Sequence, residues 1–319
     1  MILVVVEHEA GAISGASLEA LTFARGIGAP LHGVAFGDGG AEALAAAGDH
    51  GIGTGTHVSI EGGYAPAAWG QAIADLVGSP PSPSAVVAAG TDRGNELLAH
   101  LGVKASAPFV ANCIAAESGA DGWSVTRQRW GGSLLEDALV RAPLAVLSVA
   151  LHAVMPEPAG APGTVAIDEV APTVSADDLR VRVTRVDAAG EGRRSLADAR
   201  LVVGGGRGVG SVEGFASLDA LAAALDGVVG VSRAVTSSGW RPHAEQIGQT
   251  GERIAPDLYI ACGISGASQH MVGCRGAKKL LAINSDPDAP ILAKADYAVI
   301  GDLHQVVPAI AAELERRRA

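Results

Sequence analysis

The sequence predicts an α/β protein of two domains, each a mainly parallel sheet flanked by helices, and three observations predict it. At 319 residues the chain exceeds the roughly 250–300 residues at which a single hydrophobic core stops growing. Short apolar runs, bounded by glycine or a small polar residue, recur along it and have the size of strands buried on both faces. The segments between them are long enough for helices, and strands alternating with helices make a largely parallel sheet.

Composition narrows the class. Hydrophobic residues make up 48% of the chain, enough for sizeable cores, while aromatics are only 3%, which suits helices packed closely on sheets. The formal charge of −11 argues against a nucleic-acid backbone as partner; the one basic cluster, Arg316-Arg317-Arg318, sits where it favours the negative end of a last helix. The apolar start has no basic region before it, so a signal or transit peptide is not expected. The longest uncharged apolar stretch, Ala142 to Pro156, is broken by Pro143 and His152 and is too short to cross a bilayer. A soluble, cytoplasmic protein without membrane insertion is expected. Cys113, Cys262 and Cys274 form no CxxC pair and fit a reducing compartment.

In the first domain, residues 1–188, strands are predicted at Ile2–Val6, Leu31–Phe36, His57–Ile60, Ala85–Ala89 and Leu144–Val149. Helices are predicted between them at Ser17–Ile27, Ala41–Ala47, Ala65–Val77 and Asn95–Leu101. Ser79–Ser84, rich in proline, reads as a surface loop, and Asp121–Arg129, alternating with charge, as an extended piece at an edge. Two further strands, Thr164–Val170 and Leu179–Asp187, complete the domain before a linker begins at Ala188-Ala189-Gly190. Glu7-His8-Glu9 reads as a polar strand end, since no second histidine or cysteine stands at ligand spacing. Thr91-Asp92-Arg93-Gly94 follows a strand but lacks a glycine-rich phosphate loop.

In the second domain, residues 189–319, glycine and small polar residues gather at the ends of successive runs: LVVGGGRGVG from Leu201, VVGVSR from Val228, QIGQTG from Gln246, LYIACGISGASQH from Leu258, LLAINSD from Leu280 and YAVIGDL from Tyr297. In an open parallel sheet the carboxyl ends of the strands line one crevice, so these loops converge on one ligand. Gly204 to Gly210 precede a helix predicted at Val212–Leu225, the context for a pyrophosphate. The spacing is not GxGxxG, and Ser232 and Arg233 stand where an NAD site wants an acid. A tight turn, or an NADP site using Arg233, therefore stays open. His270 and Cys274, four apart, lack further ligands for a metal, and Asp286-Pro287-Asp288 reads as a turn.

GGRG at Gly205–Gly208, GVSRAVTSSGW at Gly230–Trp240, IGQTG at Ile247–Gly251, APDLYIACGISGASQH at Ala255–His270 and AINSDPDAPI at Ala282–Ile291 resemble the carboxyl-terminal half of the electron transfer flavoprotein alpha subunit. YAVIGDLHQVVP from Tyr297 is similar to that family's closing strand and helix. The first domain is similar more loosely, through LVVVEH, TDRGNELLAHLG and Ala111–Cys113. The chain departs from the family at His304, where an aromatic is usual, at Ser268, where a larger apolar residue is common, and at Arg141-Ala142-Pro143.

The resemblance implies a Rossmann-like FAD-binding second domain in a heterodimer with an electron transfer flavoprotein beta subunit. Such a complex takes electrons from acyl-CoA or other flavin dehydrogenases and passes them to a membrane quinone oxidoreductase. It places FAD contacts at Arg207, Ser232, Arg233, Gln249, Thr250, Ser265, Gly266, Gln269, His270, Asn284 and Asp302, and at the neighbouring Ile247, Gly248, Ala267, Ser268 and Leu303. Their chemistry agrees. Arg233 is a permanent cation, Thr250 offers a hydroxyl toward the flavin N5, and His270 an N–H toward its O2. A hydrogen bond to a charged group, about 1.5–3 kcal/mol, is roughly 60–130 mV for one electron. Gly263-Ile264-Ser265-Gly266, at the start of a helix, presents amides to phosphate, while Asn284 and Asp302, just past strands, suit the adenosine portion. None of these residues is a nucleophile or proton-transfer base, so an electron carrier without turnover of its own is expected. An electron-bifurcating relative and a stand-alone NADP-binding enzyme are the alternatives.

Overall fold

A computed structural model of the protein describes residues 1–61, 63–161, 163–185, 195–197 and 199–318. The chain divides into two compact units, Met1–Asp187 and Ala188–Ala319.

In the first unit the strands and helices run β1 (Ile2–Val5), β2 (His8–Glu9), β3 (Ala12–Ile13), α1 (Gly15–Gly26), β4 (Leu31–Phe36), α2 (Gly40–Ala46), β5 (Ile52–Val58), α3 (Pro66–Gly78), β6 (Ala85–Ala89), α4 (Asp92–Lys104), β7 (Phe109–Gly119), β8 (Gly122–Arg129), β9 (Leu134–Val140), β10 (Ala145–Val149) and β11 (Ala166–Val170). Among the described residues nine strands form one sheet in the order β11-β5-β4-β1-β6-β10-β7-β8-β9. Pairing is parallel from β11 through β7 and antiparallel at β7-β8-β9. Every residue of β1, β6 and β10 is buried, because helices cover both faces of a parallel sheet and strands inside it read as continuous apolar runs. The two faces alternate with the pleat: Ile2 and Val4 pack into one core, Leu3 and Val5 into the other.

Several expectations are corrected here. The run expected at His57–Ile60 is the end of a strand that begins at Ile52; its first half is glycine and threonine, and ladders to β4 and β11 on either side hold it extended. The piece expected at an edge, Asp121–Arg129, is β8, which lies between β7 and β9. Its alternation with charge marks a half-solvated strand, not an outer one; the outer strand is β9. Of the strand expected at Leu179–Asp187, residues 179–185 are turn and irregular chain. Asp178, just before them, is held by Lys104 Nζ at 2.7 Å, and the Val183 amide donates to the Tyr64 carbonyl. The end of that stretch and the expected linker lie outside the described residues.

Glu7-His8-Glu9 runs into a small hairpin, β2 with β3, and among the described residues no group of three metal-ligating side chains is found. Thr91 caps α4, its hydroxyl oxygen accepting from the Gly94 amide at 2.8 Å while its proton goes to Glu7 at 2.6 Å. Among the described residues no helix is long and apolar enough to cross a membrane.

The second unit runs β12 (Leu201–Gly205), α5 (Ala216–Ala224), β13 (Val228–Val231), α6 (Arg233–Ser237), β14 (Leu258–Cys262), α7 (Ser268–Cys274), β15 (Leu280–Asn284), β16 (Tyr297–Ile300) and α8 (Leu303–Arg318). Among the described residues its five strands are all parallel in the order β13-β12-β14-β15-β16. Counted within the unit this is the doubly wound order 2-1-3-4-5, whose switch point lies between its first and third strands, here β12 and β14. Cores around Tyr259 and around Phe215 cover the two faces. The helix expected at Val212–Leu225 is shorter: single 3-10 turns at Arg207–Val209 and Glu213–Phe215 come first, and α5 begins only at Ala216. QIGQTG is a loop tethered to β13 by one bridge, Val231 to Gln246.

Candidate functional site

At the carboxyl ends of β12, β13, β14 and β15 lies a cavity of about 640 Å³, within the range of specific ligand sites. Each strand contributes the loop that follows it: Arg207 and Gly208 after β12, Ser232 and Arg233 after β13, Gly263 to Ser265 after β14, and Asn284 at the end of β15. The loop Gln246–Thr250 and residues around the start of α7, Ala267, Gln269 and His270, complete the wall.

Glycine is required where the loops meet. A Cβ at Gly206 would come within 2.8 Å of Ile264 Cα, and one at Gly208 within 2.8 Å of Gly263 Cα, both backbone atoms with nowhere to move. Gly204 and Gly205 serve packing instead, leaving room for the Tyr259 ring and for Phe215. The glycine run is therefore a close approach of two backbones at the switch point, and no helix starts directly after it.

Gly263-Ile264-Ser265-Gly266 also differs from expectation. It is a loop with left-handed glycines at both ends, φ +63° and +86°, and α7 starts only at Ser268. Among the described residues the amides of Ile264, Ser265 and Gly266 make no hydrogen bond. Any anion here meets loop amides rather than a helix end.

Twelve of the sixteen residues expected in the site line the cavity: Arg207, Ser232, Arg233, Ile247, Gly248, Gln249, Thr250, Ser265, Ala267, Gln269, His270 and Asn284. The other four do not. Gly266 backs onto Ile291, its missing Cβ giving room to the Ile291 backbone. Ser268 is exposed, with its hydroxyl 3.2 Å from Gln269 Oε1. Asp302 starts α8, its carboxylate accepting from the His304 amide at 2.9 Å, and Leu303 is buried in the core beneath.

The two arginines favour an anionic ligand. Arg207 and Arg233 are exposed at the cavity, and neither has a carboxylate partner among the described residues. Thr250 Oγ1 accepts from Gln246 Nε2 at 2.9 Å, and Gln246 Oε1 in turn lies 2.6 Å from Thr236 Oγ1. Asn284 Nδ2 donates to the Ile264 carbonyl at 2.9 Å, holding the β14 loop against β15. His270 is buried, with Nε2 2.8 Å from the Tyr259 hydroxyl, and its Nδ1 has no partner. Burial pushes the imidazole down to about 4, against a smaller opposing pull from the Ile247 carbonyl, so at neutral pH it is an uncharged donor and acceptor.

Sequence reasoning passed over two residues that shape this wall. Gln246 and Tyr259 both lie in quoted motifs, but nothing local marks them as buried polar groups serving a neighbour. Asp286 reaches the cavity rim while forming the expected turn, its carboxylate accepting from the Asp288 amide.

A doubly wound parallel sheet with cations, loop amides and an unpartnered buried nitrogen gathered at its switch point defines an α/β protein of the dinucleotide-site type. Residues 2–175 match the family model of the electron transfer flavoprotein domain, and residues 195–275 that of the electron transfer flavoprotein FAD-binding domain. The chain is similar to electron transfer flavoprotein subunit alpha of Mycobacterium leprae (strain TN), 35% identical over 320 aligned residues that cover 99% of this chain and 98% of the relative. It is 46% identical to the subunit alpha of Paracoccus denitrificans over 156 residues, 49% of this chain and 50% of that one. Protein FixB of Clostridium saccharobutylicum is 42% identical over 147 residues, 46% of this chain and 44% of that protein. The chain belongs to the electron transfer flavoprotein alpha subunit family.

Proposed function

We propose that this chain is the FAD-carrying alpha subunit of a heterodimeric electron transfer flavoprotein, working with a beta subunit. The heterodimer takes electrons from acyl-CoA or other flavin dehydrogenases and delivers them to a membrane quinone oxidoreductase. One observation carries the reading: among the described residues the switch-point cavity combines two cations without carboxylate partners and the Ile264 and Ser265 amides, which make no hydrogen bond. A core has no use for that set, whereas a flavin dinucleotide satisfies it.

When bound, FAD supplies one-electron acceptance and release. The residues hold and bias it. The amides of Ile264 and Ser265 and the guanidinium of Arg207 serve the pyrophosphate, and Asn284 keeps their loop in place. Thr250 and His270 offer donors to the ring system, and Arg233 supplies fixed positive charge that favours a negative one nearby. None of these groups needs to give up a proton, which suits a relay rather than a turnover enzyme. Domain and site assignments follow: residues 1–188 for subunit interaction, residues 189–319 for the flavin.

The test is co-purification of the chain with its beta partner, followed by flavin extraction. One FAD per heterodimer and a lowered one-electron potential in Arg233→Ala are the expected results. Two FAD would point to the bifurcating alternative, and a colourless, monomeric chain that binds NADPH tightly would sink the proposal.

A further inference from the structure

Tyr259 is fully buried on β14, and its hydroxyl faces Nε2 of His270 at 2.8 Å. It makes no other hydrogen bond among the described residues. Its position is built in from the neighbouring strand: Gly204 of β12 has no side chain, and a Cβ there would lie within 2.7 Å of the Tyr259 ring carbon that carries the hydroxyl. The contact also fixes the imidazole's orientation, since turning the ring over would set a carbon against the phenol.

Two proton arrangements fit the contact, and counting donors separates them. If Nε2 carries the proton, it donates to the phenol oxygen. The phenol proton is then stranded in the apolar core of Ile254, Met271 and Cys274, and the bare Nδ1 is stranded as well. If the phenol donates to a bare Nε2, the core holds no unmet donor. The group left over is then the buried Nδ1–H, on an imidazole that also feels the pull of the Ile247 carbonyl. Burying unmet polar groups is costly, so the second arrangement prevails.

We infer that Tyr259 is a positioning residue whose hydroxyl donates to Nε2 of His270 and holds the imidazole neutral with its proton on the buried Nδ1, fixing one tautomer in a residue of the cavity wall. The inference rests on the flavin reading only for the shift in potential, since the tautomer is set within the chain.

The test reads the tautomer directly. The full chain, with and without its partner and flavin, is labelled with ¹⁵N at its nine histidines, and the His270 signals are assigned by their loss in His270→Gln. The expected spectrum at neutral pH shows a protonated Nδ1 and a bare Nε2 in both states; a protonated Nε2 in the wild-type protein overturns the inference without any variant. Tyr259→Phe is expected to keep its flavin, lose the single-tautomer spectrum and shift the flavin potential. An unchanged tautomer and potential in that variant would show that the hydroxyl positions nothing. Because the tautomer is also read without flavin, a preparation that binds none but shows the Nδ1–H form upholds the positioning role and refutes only the proposed cofactor.

Discussion

Gln246 Nε2 donates to Thr250 Oγ1 at 2.9 Å, and only 2% of Gln246 is exposed. With that amide filling an acceptor site on its oxygen, the Thr250 hydroxyl keeps its own proton for the cavity. Gln246→Leu removes the amide at similar size. The flavin's one-electron potential is expected to fall in the same direction as in Thr250→Val but by less, roughly 20–60 mV for a neutral hydrogen bond of about 0.5–1.5 kcal/mol. Spectroelectrochemistry of the two variants checks it, and a shift in Thr250→Val alone would separate Gln246 from the site.

The approach of Gly206 to the loop after β14 gives a stability prediction. An added methyl meets backbone at 2.8 Å, so Gly206→Ala is expected to cost about 1–3 kcal/mol of stability, as overpacking does. Gly26, at the end of α1, has nothing within 4 Å of its would-be Cβ. Gly26→Ala is expected to be neutral or stabilising by up to about 1 kcal/mol, since alanine loses less entropy in a helix. Denaturant midpoints of the two variants should move in opposite directions or leave Gly26→Ala unmoved.

His270 makes the stability of the second unit depend on pH with a defined sign. Its folded value, about 4, lies below the ordinary 6.5. Between those limits the unfolded chain takes up a proton that the folded one refuses. Stability therefore rises with pH across that window, by up to about 1.4 kcal/mol per unit, and the contribution is complete above 6.5. Urea melts of the flavin-free chain at pH 5 and pH 7 should show a wider gap in the wild type than in His270→Gln. Equal gaps would mean that this imidazole titrates normally.

Arg207 and Arg233 each line the cavity, and among the described residues neither is paired with a carboxylate. Replacing both by alanine is expected to weaken flavin retention by about tenfold or more per residue, because a charge-assisted hydrogen bond is worth about 1.5–3 kcal/mol. The loss should be greater at low salt, where the cations are least screened. Dialysis of the paired complex at two ionic strengths measures it; retention equal to the wild type at both would place the cations outside the binding site.

Much of this was legible in the chain itself. β4 and β6 begin and end at the residues where the apolar runs do, and β1 and β10 differ from theirs by one residue. Such strands are buried on both faces, and their pattern is local. β5 was half visible because glycine and threonine carry no apolar signal. The turn-like residues 179–185 were misread because an alternation of valine and arginine looks the same whether or not a ladder receives it.

For the site, the sequence set the inventory: glycines where two backbones touch, cations and hydroxyls at strand ends, and a histidine on the helix after β14. The tertiary structure alone decided which of these line one cavity, that Asp302 caps the start of α8 outside that lining, and that Tyr259 and Gln246 contact His270 and Thr250. The reason is physical. Periodicity and turn chemistry act over a few neighbouring residues, whereas the partner of a buried polar group is chosen by strand order and packing, which join segments far apart along the chain.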